Sequence, residues 1–392
     1  MNAGKRNLTL ALAITLAAAV CSPSVRAMPP AAQAAGSITH FPAVSLSYDG
    51  QHLAWIAANA GKTELMLGSA SSGNARAVNI PGDCTETGLR WARRWNKLAV
   101  MMHCADTTSA IWLLDVNANK PPREVAHFSG LAHGMRWTAG DKSVAFLYAP
   151  GDANQRVASV GVTGGAPDVL TPANLNVRAF DWSATGPQRF VYTVAPQNSN
   201  GGAATRLYTQ WAEASAKPVL IVDTQTSNEL RGQYLRLPRF ALNGTRVYFL
   251  ATQSSTAAAA GNLYRVPAKG GSLFNLTLGP AVKPSWFKVT GRGIVGTRRI
   301  GDSVEVVAYG HGSFVGCRGS SRPCAVFFSL PGTLTDGTEP LSVSLSWRHR
   351  PRIAFVQNST GQPPIVRSGI LSTQPPPAVL PNGADVADAS TR

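Results

Sequence analysis

The feature that most constrains this chain is a unit that recurs about every 45 residues. Val44–Ala57, VSLSYDGQHLAWIA, reads as a β-hairpin: a short alternating run, a turn at Asp49-Gly50, then an apolar run. Trp91–Val100, Trp137–Phe146, Trp182–Tyr192, Phe240–Phe249 and Trp347–Phe355 repeat the pattern, and a weaker copy begins at Trp286. Anchored on Leu46, Trp91, Trp137, Trp182, Phe240, Trp286 and Trp347, the copies are spaced by 45, 46, 45, 58, 46 and 61 residues. Such a period with strand-like content predicts an all-β fold, a β-propeller.

After each hairpin comes a third alternating run: Glu64–Gly68, Ala110–Asp115, Arg156–Val162, Arg206–Trp211, Asn262–Val266, Ala325–Leu330 and Ile365–Leu371. Turn residues such as Thr163-Gly164-Gly165 and Lys269-Gly270-Gly271 follow, and a short fourth run closes the unit. Seven units of four strands predict seven blades spanning 37–373. Alternation places Leu53, Trp55, Leu98, Val100, Val144, Phe146, Val247, Phe249, Ile353 and Phe355 between blades, with the repeated Trp and Phe anchors as packing residues. Gly36–His40 resembles the end of a unit more than the start of one. The expectation is therefore that it pairs beside Ile365–Leu371 and completes the last blade.

Residues 1–27 read as a signal peptide. Lys5 and Arg6 precede the apolar run Leu8–Val20, and Val25-Arg26-Ala27 offers a cleavage site. Residues 28–36 are an Ala/Pro-rich lead-in, and 374–392 an Ala/Asp/Pro-rich tail expected to be disordered. No later stretch has transmembrane length. The expected location is the periplasm or the exterior, and the expected state a monomer. Of the five cysteines, Cys84, Cys104, Cys317 and Cys324 follow the signal peptide. Export favours disulfides, and neither pair has zinc spacing. Cys84 precedes the first strand of its unit and Cys104 ends the second, so antiparallel pairing brings them together. Cys317 and Cys324 bracket a short loop with Arg318 and Arg322. The predicted bridges are 84–104 and 317–324.

Charge points to the partner. The whole chain carries 36 basic and 20 acidic residues, and residues 28–392 retain 33 and 20, a net +13. This excess favours an anionic partner, namely an acidic protein or peptide, an anionic glycan or lipid head groups. Nucleic acid does not suit an exported protein. The first-to-second-strand turns all leave on one face of a propeller, because the blades are copies placed by rotation. They carry Arg93, Arg94, Lys142, Arg189, Arg246, Arg292, Arg348, His349 and Arg350, against Asp49 and Asp141. The candidate binding residues are Arg93, Arg94, Lys142, Arg348, His349 and Arg350, sitting in turns and not between blades.

The unit Ser47-Tyr48-Asp49-Gly50-x-x-Leu53-Ala54-Trp55 has copies ending Leu98-Ala99-Val100, Val144-Ala145-Phe146 and Ile353-Ala354-Phe355. It resembles the blade signature of the TolB-type propellers and of the N-terminal propeller of the prolyl oligopeptidase and dipeptidyl peptidase family, over roughly Ile38–Leu371. In those peptidases the resemblance implies an α/β-hydrolase domain after the last blade. About twenty residues follow Leu371, and the G-x-S-x-G elbow occurs nowhere in the chain. No catalytic residue, cofactor or metal is carried over. Gly291-Arg292-Gly293-Ile294-Val295-Gly296 matches G-x-G-x-x-G, but its sequel alternates like a strand, where a dinucleotide site needs a helix. His40, His52, His103, His127, His133, His311 and His349 are scattered over the blades. Three functions remain open: a non-catalytic exported propeller binding a protein, peptide or anionic glycan; a propeller module or remnant of a prolyl oligopeptidase-family peptidase whose hydrolase domain is absent or separate; and a propeller lyase on acidic polysaccharide.

Overall fold

The computed structural model describes residues 40–380, except 60, 72–74, 119, 151–153, 187, 197–202, 214, 257–258, 278–282, 310–324, 335–338 and 345–350. The proposed signal peptide, the lead-in, Cys317, Cys324, Arg348, His349 and Arg350 lie outside the described residues.

Seven antiparallel sheets form the blades of one ring, each built from strands consecutive in the chain. The blades occupy residues 40–78, 85–129, 131–169, 176–223, 234–275, 286–331 and 333–380. Among the described residues the sole helical segment is the short 3-10 turn Ala139–Asp141. The local chemistry of the hairpins is that of the first unit. Gly50 takes φ +75°, its N–H donates to Ser47 O, and Asp49 Oδ1 accepts from Gln51 N and from Ser47 Oγ, closing the turn between His40–Leu46 and His52–Asn59. The second strands run through the middle of each blade and are buried on both faces. Leu53, Trp55, Leu98, Val100, Val144, Phe146, Val247, Phe249, Ile353 and Phe355 are all at most 1% exposed, as alternation predicts.

Three expectations are corrected. The last blade is completed by Ala378–Leu380, which pairs with Ile365–Ile370 (Val366 opposite Leu380), so the propeller continues past residue 373. His40–Leu46 is instead the first strand of the first blade, with His40 opposite Ala58. A fourth strand available from the chain's own end leaves no place there for the N-terminal one. In the sixth blade the third strand is Ser303–Tyr309, and Ala325–Pro331 is the fourth. The bridge predicted at 317–324 therefore falls on the connection between those two strands. Lastly, the register moves two anchors. Val289 opposite Ile294 and Val343 opposite Ile353 occupy the place that Trp182 opposite Phe190 and Phe240 opposite Val247 hold elsewhere. Trp286 sits three residues too early, at the start of its strand, and Trp347 too late, beyond the strand Leu341–Val343. An aromatic near the turn was a good marker of the position in four blades and a misleading one in two.

The first strand of the seventh blade is split. Thr333–Leu334 and Leu341–Val343 both pair with Arg352–Asn358, and Glu339, between them in the chain, lies outside the sheet. From there Glu339 reaches the centre of the ring.

Candidate functional site

First strands line the channel of a propeller, and the residue just before each anchor points into it. In blade order these residues are Ser45, Arg90, Arg136, Asp181, Arg239, Lys288 and Ser342, and all seven line one cavity of about 80 Å³. The anchors Leu46, Trp91, Trp137, Trp182, Phe240, Val289 and Val343 form its wall, and Tyr48, Arg93, Ala184 and Leu242 from the turns its rim. The cavity is thus the channel mouth on the face where the first-to-second-strand turns emerge.

Glu339 reaches the middle of this ring. Its carboxylate takes both terminal nitrogens of Arg90 in a two-pronged contact, lies 2.8 Å from Nη2 of Arg136 and accepts from Nη2 of Arg239 at 3.3 Å. Three blades therefore converge on one carboxylate offered by a fourth. Bidentate Arg–carboxylate pairs are the strong, directional form of this interaction. Remaining guanidinium protons go to nearby carbonyls: Arg90 Nε to Met135 O, Arg136 Nη1 to Met135 O and Arg239 Nη1 to Pro238 O. Asp181 lies 3.3 Å from Arg136 Nε and accepts the backbone N–H of Phe240 at 3.0 Å. That Arg136 contact is too poorly aligned for a hydrogen bond, and Nε of Arg136 and of Arg239 are buried without one among the described residues.

The mouth is over-supplied with positive charge. Arg90, Arg93, Arg136, Arg239 and Lys288 face Asp181 and Glu339, five cations against two carboxylates. Burial disfavours the charged form of Glu339, but Arg136, Arg90 and Lys288 outweigh it and hold its carboxyl well below the usual range. Burial, with repulsion from Arg90, brings Arg136 down to about 9, so it stays charged at neutral pH. Burial brings Lys288 down to about 7; Glu339 opposes the shift, and Arg90, Arg239 and Arg136 add to it. Among the described residues the Lys288 amine has no hydrogen bond or ion pair, so the mouth can accept a further anion.

The predicted binding residues divide around this site. Arg94 and Lys142 are exposed in the turns of the second and third blades, outside the cavity lining, and Trp95, next to Arg94 in the chain, is 59% exposed. Arg93 is not the free turn residue expected. It is half-buried and donates to Ser183 O at 3.0 Å and Trp182 O at 3.1 Å, bridging the second blade to the fourth. The backbone N–H of Arg94 also leaves its own blade, donating to Asp141 Oδ2 at 2.6 Å. Arg189 turns toward the third strand of its own blade and toward the fifth blade, donating to Thr209 Oγ1 and Ala268 O, and lies over the ring of Trp211. Arg93 and Arg189 are thus both engaged by carbonyls of other blades.

Sequence reasoning missed the mouth itself. The signal was present: Arg90-Trp91, Arg136-Trp137, Asp181-Trp182 and Arg239-Phe240 each place a charge directly before the aromatic anchor. Glu339 had no such marker, because it lies on an excursion from the repeat. Among the described residues no three His, Cys, Asp or Glu side chains gather as metal ligands. The G-x-G-x-x-G match falls on the turn Gly291-Arg292 and the strand Gly293–Ile300, with no helix.

The comparisons bear on the fold. No family model matches the sequence, and no curated protein matches it. The β-propeller domain of the Trilobed protease from Pyrococcus furiosus, described as having an open velcro topology, is similar at TM-score 0.59 and 9% identity, over 88% of this chain and 99% of that one. A prolyl endopeptidase is similar at TM-score 0.54 and 13% identity, over 86% of this chain. The chain spans about half of that endopeptidase, 51% of its length. A putative TolB from Agrobacterium tumefaciens matches over 60% of this chain and 80% of that one, at TM-score 0.44 and 16% identity. At these identities the likeness is one of architecture: the chain is a seven-bladed β-propeller, similar in fold to the β-propeller domain of the Trilobed protease and to part of the prolyl endopeptidase.

Proposed function

We propose that this chain is an exported binding propeller that takes an acidic segment of a protein or peptide at its basic channel mouth. One observation carries the reading: Arg90, Arg136 and Arg239, from three blades, already grip a carboxylate, while Lys288 and the exposed turn cations Arg94 and Lys142 remain for another. The Cys84–Cys104 disulfide and the charged-then-apolar N-terminus support export. Exposed Trp95, next to Arg94 in the chain, gives the turns an aromatic contact of the kind enriched at protein interfaces.

The test is fluorescence anisotropy with a labelled oligoglutamate peptide, using oligogalacturonate and anionic vesicles as competitors. The peptide is expected to bind, to weaken steeply as salt rises, and to bind about three- to tenfold more weakly to Lys288→Met. Competition by the glycan or the vesicles alone would reassign the partner. Absence of saturable binding by all three would sink the reading.

A further inference from the structure

A second cavity, of about 270 Å³, opens between the fifth and sixth blades. Its origin lies in the anchor position. In four blades a large ring fills this place and packs against the preceding blade; Trp91 and Trp137 also donate their indole N–H to the carbonyls of Ser45 and Arg90 there. In the sixth blade the position is Val289, and the turn after it is reduced to Gly291-Arg292, with Thr290 opposite Gly293. Leu46 and Val343 are aliphatic too, but both are buried, whereas Val289 is half-buried beside the gap.

What lines the gap is distinctive. Leu242, Leu276, Val289 and Ile294 supply an apolar floor. Tyr248 stands directly across from Arg265 on adjacent strands, and Arg246 and Arg292 complete the wall. No acidic residue is among the lining residues, and among the described residues none of the three guanidinium groups has a carboxylate partner. Arg265 lies 4.8 Å over the ring of Phe274, which is 58% exposed.

We propose that this cleft is a binding site for a small planar aromatic acid. Its ring takes the seat that Trp or Phe fills in four other blades, and its acid group meets Arg265, Arg246 and Arg292. An apolar cavity of about 150 Å³ is enough to admit a benzene, so this one has room for a fused bicyclic ring. The arginines fix the orientation, since a planar fork matches a carboxylate in two-pronged fashion. The cleft adjoins the channel mouth, sharing Leu242 and Val289 with it, but its cations are its own, so its failure would leave the acidic-peptide reading standing.

The experiment is isothermal titration of the full chain with naphthoate and with the isosteric neutral naphthamide. Naphthoate is expected to bind at least about tenfold more tightly than the amide, because only the acid is met by charge-assisted bonds. Val289→Trp rebuilds the missing ring in place and should abolish binding of both without lowering the melting temperature. Arg265→Gln leaves the buried packing untouched and should erase the preference for acid over amide. This second variant decides the matter if Val289→Trp fails to fold. No saturable naphthoate binding, equal binding of acid and amide by the unaltered chain, or an Arg265→Gln variant that keeps the preference would each overturn the assignment.

Discussion

Lys288 is the group in the channel mouth whose charge changes near neutrality, and its behaviour follows from its place. It holds the position where the other blades carry Ser, Arg or Asp, among Arg90, Arg136 and Arg239, and burial together with those like charges brings it down to about 7 despite Glu339. An incoming anion favours the protonated amine. Affinity for an acidic peptide is therefore expected to rise as pH falls through 7, by about three- to tenfold between about pH 8 and pH 6, with Lys288→Met flattening the profile. The stability sign runs the other way. A base held below its ordinary value is neutral in the fold and charged in the unfolded chain between 7 and 10.5. Stability from this residue therefore falls as pH drops across that window and is level below it. Lys288→Met is expected to melt a few degrees higher at pH 7, a gain of about 1 kcal/mol after allowing for the partial exposure of the amine. A melting temperature that drops instead would show that the Lys288–Glu339 attraction outweighs the burial cost.

At the scale of the element, the second blade's inner hairpin is the best-defined unit. Thr85–Trp91 and Lys97–His103 pair from Thr85 opposite His103 to Trp91 opposite Leu98, and Cys84 and Cys104 close the open end just beyond. The bridge spans 20 residues of sequence. Closing a loop of that length in the unfolded chain stabilises the fold by about 3 kcal/mol. Cys84→Ser with Cys104→Ser is expected to lower stability by about that much in chemical denaturation while leaving the circular dichroism spectrum unchanged. A loss under about 1 kcal/mol would mean the hairpin is already ordered in the unfolded ensemble. This hairpin was legible in the sequence because every signal agreed: alternation, an aromatic before the turn, and cysteines flanking the pair. The sixth and seventh blades were harder to read for a physical reason. Their turns and excursions differ in length, so Trp286 and Trp347 mimicked anchors that the hydrogen-bonded register places at Val289 and Val343. The channel mouth was half legible. The charge before each aromatic is a local pattern, but its convergence on Glu339 depends on ring closure, which no local pattern encodes.

Ring closure is the question at the scale of the molecule. No described strand from the N-terminal side joins the last blade, so the seam between the first and seventh blades rests on side chains. Phe41, Leu46, Trp55 and Met66 pack with Ala354, Val356 and Val366 across it. Leu46 N donates to Ser342 Oγ at 2.9 Å, and Arg352 donates to Ala70 O at 3.3 Å. Glu339 adds a central tie. It belongs to the seventh blade and is gripped by the second, third and fifth, so the last blade cannot swing outward without breaking all three contacts. Removing one partner of a buried ionic cluster leaves the other charges uncompensated, at a cost of about 3–5 kcal/mol. Glu339→Gln is therefore expected to lower the melting temperature substantially at pH 7. The carboxyl is held well below its ordinary value, so its stabilising contribution is complete above pH 4.5 and is lost as pH falls through the lowered folded value. Acid melting curves of the wild type and Glu339→Gln should converge there. The same vacancy should bind anions: added sulfate is expected to stabilise Glu339→Gln more than the wild type, whose arginines already hold the Glu339 carboxylate, since ligand binding to the folded state stabilises by mass action. Thermal melts across a sulfate series measure this directly. If Glu339→Gln melts with the wild type at every pH, the tie contributes nothing and the seam is held by packing alone.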